Sequence, residues 1–157
     1  MTTEAQTTPS RRLAELGLEL PPVPAPAGIY RPAVRDGRHV YTAGQLPLVH
    51  GALEASGIVG DQISVETASA AAWRAGLNAI AAVASVVGGI DRINRILKVV
   101  VYVASTPGFT EQPKVANGAS ELMGELFGEA GVHARSAVGV ASLPLNSPVE
   151  VEIIALC

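Results

Sequence analysis

The sequence predicts an α+β domain in which two helices cover one face of a sheet, and three observations carry that prediction. Apolar stretches flank Arg35-Asp36-Gly37-Arg38, whose Asp-Gly pair is a strong short hairpin signal. Two helix-length segments, an alanine-rich one opened by Ser64 and another from about Pro113, are each followed by β-branched strand sequence. The last two apolar runs, Arg135 to Leu143 and Val149 to Leu156, meet at the proline-marked turn Pro144 to Pro148.

Taken in chain order, residues 1–9 read as a disordered tail. Ser10 is placed to cap a short helix that carries Leu13, Leu16 and Leu20 on one side and packs on the domain surface. Prolines 21, 22, 24 and 26 then exclude helix or central strand and give an extended connector leading to Tyr30. Residues 1–26 are therefore an appendage of flexible tail, short helix and Pro-rich connector, and residues 27–157 form the domain proper. Strands are expected at Ala33 to Val34 and His39 to Leu46, followed by a loop through Gln62. The long helix runs from Ser64 to Val87, with Glu66 at the positive end of its dipole and Gly88-Gly89 closing it. Ile96 to Ala104 is almost wholly apolar, as a strand covered on both faces would be. A second helix extends from about Pro113 to Phe127 on Val115, Leu122, Met123 and Leu126. Two helices cannot cover both faces of such a sheet, so self-association through the other face is expected.

The chain has 157 residues, 48% hydrophobic and 16% charged, enough for one sizeable core and too apolar for a disordered chain. No uninterrupted apolar run reaches the roughly 18 to 20 residues of a bilayer span, and the first ten residues lack a secretory pattern. Cytoplasm is the expected compartment. A net charge of −3 without clustered Lys and Arg argues against broad capture of nucleic acid. Cys157 is the sole cysteine, which excludes an intramolecular disulfide and a cysteine-based zinc site. His39 and His50 lack metal-ligand spacing, and neither a phosphate-binding glycine loop nor a nucleophile elbow is present.

Arg135 begins an apolar strand, where its guanidinium needs either an anionic partner, such as a ligand carboxylate or a structural glutamate, or exposure at the strand end. Glu150 and Glu152 alternate with Val149, Val151 and Ile153 and so share one face. That face is solvated on an ordinary sheet, whereas a partly dry subunit cleft would equip a carboxylate to handle protons.

The segment containing Ala134-Arg135-Ser136, Val138, Ala141, Leu143 and Val151-Glu152-Ile153 resembles the C-terminal signature of the RidA family, also called YjgF/YER057c/UK114. Tyr30, Gly44-Gln45 in YTAGQLP, Asn78 and Asn117 add to the likeness, which covers residues 27–157. Ala43, His133 and Ala137 depart from the residues common at those places, and the N-terminal helix is similar to that of a longer subgroup. The resemblance implies a chorismate-mutase-like homotrimer with clefts between subunits and no cofactor or metal. It further implies that Arg135 binds a substrate carboxylate and Glu152 positions or activates water. Tyr30 would approach from the neighbouring subunit, with Gly44, Asn117 and Ala137 lining the pocket. The implied activity is hydrolysis of 2-aminoacrylate-like enamines and imines to 2-keto acids and ammonia. A non-catalytic small-metabolite-binding or chaperone-like trimer and a ribonuclease or translation inhibitor are the competing readings. The implied partner is a small carboxylate-bearing metabolite, with neither nucleic acid nor membrane expected.

Overall fold

The computed structural model describes residues 7–26 and 28–157. Its centre is a mixed five-stranded sheet in the order β1-β2-β7-β5-β6. These strands are β1 (Ala33–Asp36), β2 (His39–Thr42), β5 (Arg95–Ala104), β6 (Ala134–Val140) and β7 (Val149–Leu156). β5 and β6 run parallel and the other neighbours antiparallel. Helices α2 (Val65–Val87) and α3 (Gln112–Phe127) pack on each other and on one face of the sheet, as the sequence predicts. A small hairpin, β3 (Leu48–Val49) and β4 (Ala52–Leu53), stands apart within the segment expected to be all loop.

The helix ends have local causes. Ser64 accepts the Thr67 amide at the start of α2, and Gly88 closes it at φ 93°, a left-handed conformation that costs glycine little. α2 has the length and hydropathy of a membrane span, although its polar residues interrupt the apolar run. Its small and aliphatic side chains are instead spent inside the domain, with Ala68, Ala72, Leu77, Ile80 and Val83 fully buried. Against this face, Val99, Val101, Val103, Val149, Val151 and Ile153 from the two central strands complete the core. The two helices approach closely where Gly76 faces Ala119 and where Gly118 lies against the Ser69 carbonyl.

The N-terminal helix α1 (Pro9–Glu15) starts earlier and stops sooner than expected. Thr8 is its cap, accepting the Arg11 amide, because Pro9 fits the first helical position where no amide is needed. Ser10, expected as the cap, instead donates its amide (2.8 Å) and hydroxyl (2.6 Å) to Asp91. Leu13 is buried, and the chain leaves the helix at Gly17, φ 69°, so Leu20 lies beyond it. Of the tail expected over residues 1–9, residues 1–6 lie outside the described part.

Strand β2 also ends before its expected limit at Leu46. Tyr41 pairs with Ile154 and Gln45 with Val151, so four steps along one strand match three along the other. This is a β-bulge. Inside it the Thr42 hydroxyl accepts the Ile153 amide at 3.0 Å, replacing a displaced backbone acceptor. Preceding it, β1 and β2 meet in a two-residue turn, Gly37-Arg38, with Gly37 at φ 58°, so Asp36 belongs to the strand and not to the turn.

A β-carbon at Gly118 would overlap the Ser69 carbonyl, which belongs to helix backbone and cannot swing aside. Gly118→Ala is therefore expected to destabilise the fold by about 1–3 kcal/mol, read from the midpoint of denaturant unfolding.

Candidate functional site

Strand register decides where the candidate side chains point. Val100, Glu152 and Ser136 lie in one row across β7, β5 and β6, and Val99, Ile153 and Arg135 in the next. Adjacent rows project to opposite faces. Val99 and Ile153 are core residues under the helices, so Arg135 and Ala137 emerge on the helix side, at the β6 edge. Glu150, Glu152 and Tyr102 project from the open face. Tyr41 and Val138, 46% and 43% exposed, share that uncovered face.

On the helix side, Arg135 Nη1 donates to Asn117 Oδ1 at 2.9 Å and to Ser120 Oγ at 3.1 Å. Both acceptors come from α3, three residues apart and hence on one helical face. A guanidinium has five N–H donors, two of them on Nη1, so these contacts use one corner of it. The remaining edge, formed by Nε and Nη2, has no hydrogen-bond partner among the described residues. That edge matches the two oxygens of a carboxylate. The structural glutamate that pattern alone allowed for Arg135 is not what holds it; neutral α3 side chains are.

On the open face, Tyr102 donates its hydroxyl to Glu152 Oε1 at 3.0 Å. Burial, the Glu152 hydrogen bond and the two carboxylate charges raise the Tyr102 pKa, which keeps the phenol a donor. Glu152 lines a hollow of about 190 Å³ with Tyr41, Thr42, Lys98, Val100 and Ile154. A larger groove of about 500 Å³ between α2 and α3, bounded by Val65, Ser69, Trp73 and Gly118, contains none of the candidates.

Glu150, to which the resemblance assigns no role, has the closer contact with the site's backbone. Its carboxylate lies directly against Gly44, where any β-carbon would collide with Oε1. The bulge brings Gly44 there, and Asn78 on α2 fastens the chain just beyond it by donating to the carbonyls of Leu46 (2.8 Å) and Leu48 (3.1 Å). Burial, and secondarily the Glu152 charge, push the Glu150 carboxyl above its ordinary value. Even alternation along β7 gave both glutamates one face, but only the bulge distinguishes them, and no sequence pattern announced it.

The remaining candidate, Tyr30, is 55% exposed and lies three residues before β1, at the opposite edge of the sheet from β6. Within one chain the candidates thus form separate groups: Arg135, Asn117 and Ala137; Gly44 and the glutamates; and Tyr30. No cluster of His, Cys, Asp and Glu suited to a metal occurs among the described residues.

Residues 10–156 match the family described as "YjgF/chorismate_mutase-like, putative endoribonuclease". Protein TCP17 of Trypanosoma cruzi is 43% identical over 143 residues, 89% of this chain and 88% of that protein. A crystal structure of a "putative endoribonuclease" from Shewanella oneidensis is 38% identical, with TM-score 0.91, over 96% of this chain and 99% of the other. An Agrobacterium tumefaciens protein of unknown function is 40% identical, with TM-score 0.86, over 95% and 91%.

The raised Glu150 pKa has a consequence for stability. The folded chain holds this proton to higher pH than the unfolded chain, so ionisation penalises the folded state as pH rises through the unfolded and then the folded value. Below both values the penalty is absent. Glu150→Gln is accordingly expected to raise the thermal midpoint at about pH 7 and to leave it nearly unchanged at about pH 4, measured by calorimetry.

Proposed function

We propose, from the premise that this chain belongs to the YjgF/chorismate mutase-like family, that it is a cytoplasmic homotrimer that hydrolyses enamines and imines of short carboxylates. The observation that carries the reading is the open edge of Arg135, a carboxylate-shaped fork preset by Asn117 and Ser120. The glutamates and Tyr30 of the same chain lie on another face and at another edge. β7 and β6 flank β5, and Glu150 pairs with Tyr102 while Arg135 pairs with Val99, so the two stand about 10 Å apart across the sheet and about 10 Å apart along it before their opposite orientation is counted. A site using both takes them from two copies of the chain.

In this reading the substrate carboxylate binds the Nε and Nη2 edge of Arg135. Ala137, two residues along the same strand face, is too small to obstruct the reacting carbon. The enamine gains a proton on its methylene carbon and loses one from nitrogen, giving the imine. Water held between Glu150 and Glu152 attacks the imine carbon; Glu152, oriented by Tyr102, accepts a proton from the water while Glu150, whose raised pKa favours its acid form, protonates the nitrogen. In the resulting carbinolamine Glu152 passes its proton to the nitrogen, the C–N bond breaks, and the hydroxyl proton returns to Glu150. A 2-keto acid and ammonia leave, and both glutamates regain their starting forms. Placement supplies the rate gain and no cofactor takes part.

Purified protein added to an enzyme generating 2-aminoacrylate is expected to accelerate ammonia release, and Arg135→Ala to reduce that acceleration by at least about tenfold. No acceleration by the wild type would sink the deaminase reading, and saturable pyruvate binding without turnover would leave a metabolite binder. RNA cleavage, the activity named for the Shewanella relative, would replace it if the cutting activity were lost in Arg135→Ala. Sharing of the site between copies has its own test. Inactive Arg135→Ala and Glu150→Gln proteins, unfolded together and refolded, are expected to regain up to about a quarter of wild-type activity, because mixed rings contain sites with both groups intact. No recovery from well-formed mixed rings would place both groups in one subunit's site.

A further inference from the structure

Ser120 is shared between Arg135 and a histidine. His133 Nδ1 lies 2.6 Å from the Gly131 carbonyl, and Nε2 lies 2.9 Å from Ser120 Oγ. A carbonyl only accepts, so Nδ1 carries a proton, and in the neutral imidazole Nε2 is left as an acceptor. The Ser120 hydroxyl proton then goes to Nε2. Its lone pairs are left for Arg135, whose Nη1 donates to it at 3.1 Å. Gly131, which fixes the ring, is itself wedged against the Met123 carbonyl near the end of α3, where a β-carbon would not fit. The chain of bonds runs from a rigid backbone carbonyl to the guanidinium without a free rotor in it. Without His133 the serine proton has no fixed acceptor, so the hydroxyl can rotate and its lone pairs are no longer held towards Nη1.

We infer that His133 is a positioning residue for ligand binding: it locks Ser120 as a hydrogen-bond acceptor, which pins Nη1 of Arg135 and presents the Nε and Nη2 edge to a carboxylate. This rests on the reading of Arg135 as the carboxylate-binding group. His133 itself touches no substrate, and its effect passes through one hydroxyl. Loss of His133 and loss of Ser120 should therefore cost the same thing, and losing both should cost little more than losing either.

Two measurements test this on the full chain. The first needs no ligand: side-chain ¹⁵N NMR of Arg135, assigned by its absence in Arg135→Ala. Separate, slowly exchanging Nη resonances are expected in the wild type, and averaged ones in His133→Ala and Ser120→Ala. His133→Gln, whose amide oxygen can accept from Ser120, is expected to restore part of the separation. Equal guanidinium mobility in wild type and His133→Ala would overturn the proposal. The second is calorimetric titration with pyruvate, with thermal melts confirming that each variant folds. His133→Ala and Ser120→Ala are each expected to weaken binding by about tenfold, and the double variant by no more than about twofold beyond that. Fully additive losses would also overturn it. If His133→Ala frees the guanidinium while neither it nor Arg135→Ala alters pyruvate binding, positioning stands and the carboxylate reading of Arg135 falls.

Discussion

The pairing of β7 with β5 fixes the faces on which Arg135 and the two glutamates stand. Because each residue step along these strands reverses the face, Val149, Val151 and Ile153 seal the core while Glu150 and Glu152 are committed to the open side. A slip of one residue would bury both carboxylates under α2 and expel two valines and an isoleucine, an exchange no local adjustment could absorb. The same register, carried across to β6, sends Arg135 towards α3, where Asn117 and Ser120 wait three residues apart. One hydrogen-bonding pattern thus supports the hydrophobic core and separates the two kinds of chemistry.

The Gly44 bulge modifies this frame at one point. It lets the chain continue beside β7 after β2 has ended, with Gln45 and Val151 exchanging amide and carbonyl at 2.8 and 2.9 Å. The extra residue is absorbed by the Thr42 hydroxyl, and a surface without a β-carbon is left facing Glu150. Two glutamates that composition treats alike acquire different environments: Glu152 has a phenol donor, and Glu150 lies against the Gly44 backbone and near the Glu152 charge.

Long periodic segments were readable from sequence because their hydrophobic spacing is imposed by burial: α2, α3, β5 and β7 fall within a residue or so of their expected limits. Short features governed by single bonds were not. Thr8 and Ser10 are equivalent as capping chemistry, and only the position of Pro9 and the presence of Asp91 separate them. The β3-β4 hairpin turns through His50 at φ 50° and Gly51 at φ 83°, without an Asn-Gly or Asp-Gly marker. For the site, the family signature pointed to Arg135, Glu152, Asn117 and Gly44. It was silent on the faces they occupy, which depend on partners far along the chain. The Ser120 to His133 contact joins a helix to the chain leading into the next strand and leaves no periodic trace.

The proline-rich connector bears on stability in a different way. Pro21, Pro22, Pro24 and Pro26 follow α1, which is docked by Leu13 and the Ser10 to Asp91 bonds. Each proline ring fixes one backbone angle before folding begins. The unfolded chain therefore has fewer conformations to surrender in this stretch when α1 is seated on the domain.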